Sequence, residues 1–115
     1  MSYDISIRVK IEGLDQYAEI TTPEYANPTY NLGRMFRACM DWDYEQGEYY
    51  KCSEIISNIE RGIYELRVHR NQYLKYNPEN GWGNLDGALQ VLESCRECIY
   101  ECAEEIPIEH LYFRW

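Results

Sequence analysis

The sequence predicts a small α+β fold, in which an antiparallel sheet made of an N-terminal hairpin and a C-terminal strand is covered by about three helices. Three observations lead there. Residues 3–12, YDISIRVKIE, alternate strictly between apolar and polar side chains, and the C-terminal IEHLYFRW alternates again. A period of two is the mark of a strand with one buried face. Between these ends, apolar residues recur at three- and four-residue spacing in three segments, which is the spacing of helices with one buried face. The chain has 115 residues with no repeat, linker or low-complexity tract, so residues 1–115 read as a single domain.

Each element follows in order. Ile5, Ile7, Val9 and Ile11 share one side of the first strand, with Asp4, Ser6, Arg8, Lys10 and Glu12 on the other. Gly13 and Asp15 in GLDQ mark a turn, and YAEITT returns as the second strand. Residues 23–31, PEYANPTYN, read as a loop whose Thr29 or Asn31 caps a helix through LGRMFRACMDW. That helix buries Leu32, Met35, Phe36 and Cys39, and DYEQGE ends it. The clearest stripe comes next: Cys52, Ile56, Ile59, Ile63 and Leu66 fall at i, i+4, i+7, i+11 and i+14. Gly62 lies inside this helix, where another element comes close. HRNQYLKY extends the helix or forms a short separate turn, and Pro78 prevents a continuous helix beyond it. Asn84 or Asp86 caps the last helix, which runs to about Glu105 with Leu85, Leu89, Leu92, Cys95, Ile99, Cys102 and Ile106 facing inward. The last strand, which includes His110, turns Leu111, Phe113 and Trp115 to one side and closes on the hairpin, either antiparallel or as part of a mixed sheet.

Twenty acids against eleven bases leave a net charge of −9. Direct nucleic-acid binding is disfavoured, because such affinity comes from clustered Lys and Arg. A basic protein partner, imitation of a nucleic-acid surface, or a plain solvated exterior all fit the charge. No apolar run approaches the roughly 20 residues that span a bilayer, so no membrane partner is expected. The N-terminus lacks a signal-peptide core, and the odd count of five cysteines suits a reducing compartment, so a cytoplasmic location is expected. Twelve tyrosines place rings with polar tips at half-buried positions and binding faces. Exposed tyrosine and an edge strand are compatible with a homodimer.

No enzyme is expected. There is no phosphate loop, no dinucleotide fingerprint and no arrangement that brings a cysteine to a histidine, so no catalytic residues and no cofactor are assigned. Cys95-x-x-Cys98-x-x-x-Cys102 lies within a helix, without the knuckle that folds thiolates around zinc, so these cysteines read as core packing and not as metal ligands.

Binding is the function the residues favour. Asn80, Gly81, Gly83 and Asn84 precede a helix whose free amides suit an anion. Trp82 is an aromatic plate held between glycines, able to stack on a flat ring. Arg34 and Arg37 lie three apart beside Tyr30 and Asn31, and arginine grips phosphate or carboxylate in bidentate fashion. A plate, an anion seat and two guanidiniums suit a nucleotide-like small molecule. The alternative site is acidic: Asp41, Asp43 and Glu45 in the acid–aromatic run, with Glu93, Glu97, Glu101 and Glu105 at four-residue spacing. It would dock on a basic protein surface, such as that of a nucleic-acid-binding protein. A structural or housekeeping interaction protein is the third reading.

NPTYNLGRMFRACM and YNPENGWGNLDGALQVLESC resemble stretches of a group of small phage, prophage and bacterial proteins. The shared pattern falls on Thr29, Asn31, Met35, Phe36 and Arg37, then on Asn77, Pro78, Asn80, Gly81, Trp82 and Gly83. The resemblance implies an N-terminal strand, a leucine-rich helix after the tryptophan loop and a short last strand. It also implies a setting, the host cytoplasm, in which small accessory proteins counter defence by stoichiometric binding. DWDYEQGEYY and the cysteine-rich last helix depart from the pattern.

Overall fold

A four-stranded antiparallel sheet with helices against its apolar face makes up the fold, in a computed structural model that describes residues 1–81 and 83–115. The strands are β1 (Ser6–Lys10), β2 (Tyr17–Thr21), β3 (Tyr49–Lys51) and β4 (Leu111–Arg114). The helices are α1 (Gly33–Met40), α2 (Cys52–Val68), α3 (Arg70–Tyr73) and α4 (Leu85–Ala103). Short 3₁₀ turns occur at Tyr30–Leu32, Leu74–Tyr76 and Ile108–His110. The sheet order is β2-β1-β4-β3 and every pairing is antiparallel, which removes the mixed arrangement. β3 was not legible as a strand, since three residues are too few to display alternation. His110 falls in the turn before β4 and not on a strand.

The first strand is shorter than its alternation suggests. The amides of Tyr3 and Ile5 donate to the Pro28 and Ala26 carbonyls at 2.8 and 2.9 Å, so residues before β1 pair with the 23–31 loop. That pairing fixes the loop beside Tyr3. Thr29 then caps the turn that leads into α1, its hydroxyl accepting from the Asn31 amide at 3.3 Å, so Thr29 and not Asn31 is the cap. Asp41 ends α1 in the left-handed region, at φ 54°. α2 finishes the job: Arg61 donates to the Cys39 carbonyl at 2.6 Å and Asn58 to that of Met40 at 2.9 Å. These carbonyls have no intrahelical donor and would otherwise need water.

α2 buries Cys52, Ile55, Ile59, Gly62, Ile63 and Leu66, while Ile56 is only half-buried. Ile55 thus replaces Ile56 in the expected stripe, a step of three in place of four. A Cβ on Gly62 would lie 2.6 Å from Met40 Cγ and 2.8 Å from Leu92 Cδ1, so glycine permits the three-helix contact there. Asn84 caps α4 and accepts from the Gly87 amide at 2.8 Å, while Asp86 pairs with Arg70. Leu85, Ala88, Val91, Leu92, Cys95, Cys98 and Ile99 are buried along α4, and Leu89, Cys102 and Ile106 sit half-buried at the core's edge. Among the described residues, no helix is long and apolar enough to cross a membrane.

Candidate functional site

The two stretches singled out in the sequence meet. Gly83 packs against the residues that start α1: a Cβ there would lie 2.9 Å from Thr29 Cγ2 and 3.0 Å from Leu32. Gly83 also needs its φ of 92°, and Gly81 its φ of 75°. Asn77 Oδ1 accepts from the Leu85 amide at 2.9 Å, tying the loop's first residue to the start of α4. With Asn84 on the Gly87 amide and the Asp86 carboxylate in the first turn, the start of α4 is less open to an anion than expected. Asn80 and Gly81 are exposed, and Trp82 lies outside the described residues.

The two arginines go different ways. Arg34 holds its guanidinium 5.7 Å from the centre of the Tyr76 ring, and Lys75 places its ammonium 5.3 Å from the same ring. Arg37 instead lies 5.2 Å from the Trp115 ring, with its charge near the Tyr3 hydroxyl. Burial raises the Tyr3 hydroxyl above the ordinary tyrosine range, and the Arg37 charge partly opposes that rise. Tyr30 meets Tyr3 edge-on at 4.7 Å and accepts a hydrogen bond from Gln46 at 2.6 Å. Asn31 is exposed. The expected site therefore divides: Arg34 joins Tyr76 in the turn before the tryptophan loop, while Arg37 and Tyr30 belong to an aromatic cluster with Tyr3 and Trp115. Lys75 and Tyr76 were missed, although both directly precede the loop in sequence.

The acidic residues divide as well. Glu97, Glu101 and Glu105 face Glu24 across an open groove of about 440 Å³ between α4 and the segment after β2. The Ser94 hydroxyl donates to the Glu24 carbonyl and pins the two walls together. Glu93 does not join them; its carboxylate binds Arg67 at 2.8 Å. Asp41, Asp43 and Glu45 lie exposed on the segment before β3. That segment is tied down further along, where the Gly47 amide donates to the Trp115 carbonyl at 2.7 Å.

Cys98 and Cys102 also line the groove. Burial pushes the Cys39, Cys52 and Cys98 thiols up to about 12 and raises Cys95 and Cys102 too. Such thiols stay protonated near neutral pH and are weak nucleophiles. Among the described residues, no group of three or more His, Cys, Asp or Glu side chains is placed to hold a metal ion. No protein-family model, curated protein or solved structure matches the chain.

Proposed function

We propose that this protein acts by non-catalytic binding and captures a nucleotide-like small molecule where the 77–84 loop meets the start of α1. The supporting observation is the contact of Gly83 with Thr29 and Leu32, which joins the loop to the segment that carries Arg34 over Tyr76. Two cations on one tyrosine ring, beside a loop that carries Trp82, suit a ligand with both phosphate and a flat base. In the phage setting implied by the resemblance, the ligand would be a host immune signal and its capture a countermeasure. Isothermal titration with cyclic dinucleotides and ADP-ribose derivatives tests the proposal. Binding weakened at least about tenfold by Arg34→Ala or Tyr76→Ala is expected, in line with roughly 1–3 kcal/mol for a charge-assisted contact or a stacked ring. No heat from any of these compounds, or unchanged binding in both variants, rejects it.

The groove beside α4 favours a second reading, an acidic inhibitor that seats a basic segment of a host protein. Four carboxylates, Glu24, Glu97, Glu101 and Glu105, face one open space. Binding to such a partner should weaken with salt. Reversing Glu97, Glu101 and Glu105 to lysine should abolish it, and an unchanged affinity and salt slope would exclude this reading.

A further inference from the structure

The outer face of the sheet differs chemically from the rest of the molecule. Register places Arg8 and Lys10 of β1, Lys51 of β3 and Arg114 of β4 on that face, together with Tyr17, Tyr49 and Tyr112. Glu19 is the single acid among the outward strand residues, and Arg8 already binds it at 3.4 Å. Four of the eleven bases thus share a face with one of the twenty acids, leaving seven bases and nineteen acids elsewhere. Asp15 and Glu48 stand at the rim, beside Tyr17 and Tyr49. With Glu19 and these two rim acids the face holds four bases and three acids, so it lacks the excess of acid carried by the rest of the molecule.

The tyrosines are organised. Tyr17 pairs with Lys10 at one end of β1, and Tyr49 pairs with Arg114, which lies opposite Ser6 at the other end. They occupy diagonal corners of the sheet, and the twist of a sheet curls such corners toward each other over one face. Their rings stack 4.1 Å apart, within 8° of parallel, and Tyr112 meets Tyr17 edge-on at 4.9 Å. Arg8 and Arg114 hold their guanidiniums 5.7 and 5.9 Å from the Tyr49 ring, and Lys10 its ammonium 6.0 Å from the Tyr17 ring. Arg8 spends its donors on the Ser6 hydroxyl at 3.0 Å, the Tyr17 carbonyl at 3.1 Å and Glu19. Lys10, Lys51 and Arg114 are therefore the cations left to meet phosphate, while the rings offer their free area to a base. Tyr49 remains 37% exposed.

We propose that this face binds a short single-stranded nucleic acid, with bases stacked on the Tyr17, Tyr49 and Tyr112 group and phosphates held by Lys10, Lys51 and Arg114. Aromatic rings interleaved with cations reward a partner that alternates flat bases and phosphates. An acidic peptide would use the cations and gain little from the rings. Three cations with free donors suit a segment of about two or three phosphates. Repulsion by the remaining surface disfavours longer polyanions. The site is separate from the Arg34–Tyr76 surface, and neither proposal depends on the other.

Fluorescence anisotropy of end-labelled hexauridylate and hexathymidylate with the full chain is the test. Saturable binding is expected, with a slope of log K against log salt of about −1.4 to −2, from two or three phosphate contacts. Tyr49→Leu should weaken it about 5- to 150-fold, the range for losing one stacked base. Tyr49→Phe should retain binding, Lys51→Ala should weaken it, and Arg34→Ala should leave it unchanged. Circular dichroism of each variant confirms that the fold is kept. Four results would overturn the proposal: no anisotropy change up to millimolar protein, equal binding by Tyr49→Leu, equal competition by polyglutamate, or a protein dimer that oligonucleotide does not disrupt.

Discussion

Single residues carry several of the decisions in this fold. Gly62 allows α1, α2 and α4 to touch, since a methyl group there would press on Met40 and Leu92. Gly62→Ala should destabilise by about 1–3 kcal/mol through overpacking, partly offset by about 1 kcal/mol of helix propensity. Urea denaturation measures the net change, and a gain in stability would show that Met40 and Leu92 can move aside. Gly83→Ala combines a positive φ with contacts at 2.9–3.0 Å to Thr29 and Leu32. A loss of about 1–3 kcal/mol is expected, from backbone strain and crowding together. The thiols give a pH dependence. Burial raises Cys52 to about 12, so the fold favours the neutral thiol over the thiolate. Its contribution is complete below the unfolded thiol pKa and is lost as pH rises toward the folded value. Denaturation curves at pH 8 and at about pH 10.5 should therefore differ less in Cys52→Ala than in the parent chain, given an ordinary thiol pKa of about 8.5.

At the scale of elements, helix ends are finished by neighbours. Asn58 and Arg61 of α2 satisfy the last carbonyls of α1. Asn58→Ala should therefore cost about 1–2 kcal/mol, read by thermal or urea denaturation, although its own helix propensity improves. β3 is the weak strand: it has three residues, lies at the sheet edge and pairs only with β4. Its amides, and those of the 41–48 segment, should exchange with deuterium well before the amides of α2 and α4, and equal protection would contradict this order. The helix stripes were legible to within one residue, with Ile55 in place of Ile56, because a period of 3.6 leaves steps of three and four interchangeable. β3 was hidden for the opposite reason, since its pairing with β4 and not its own pattern makes it a strand.

For the whole molecule, charge is divided by surface. The α4 groove is acidic, the outer sheet face is close to balanced, and the sequence total of −9 averages the two. Self-repulsion of that excess should make the protein more stable as salt is raised from about 20 to about 200 mM, which thermal denaturation reads directly. A flat or falling response would mean that local pairs, such as Arg67–Glu93 and Arg70–Asp86, outweigh the excess.

Local pattern was enough for the hairpin, the three long helices and the close approach at Gly62, and it narrowed the cap of the last helix to Asn84 or Asp86, of which the structure uses Asn84. Periodicity, capping and turn chemistry act over a few neighbouring residues, so the chain records them directly. The sites were not recorded in that way. Arg34 and Arg37 are neighbours on α1, yet Tyr76 engages one and Trp115 the other. Tyr17 and Tyr49 stack only because strand order and sheet twist bring distant corners together. Glu93 and Glu97 are one helical turn apart, and Arg67 on α2 separates their roles. Which side chains share a surface is set by packing between elements far apart in the chain, and that is where tertiary structure alone decided.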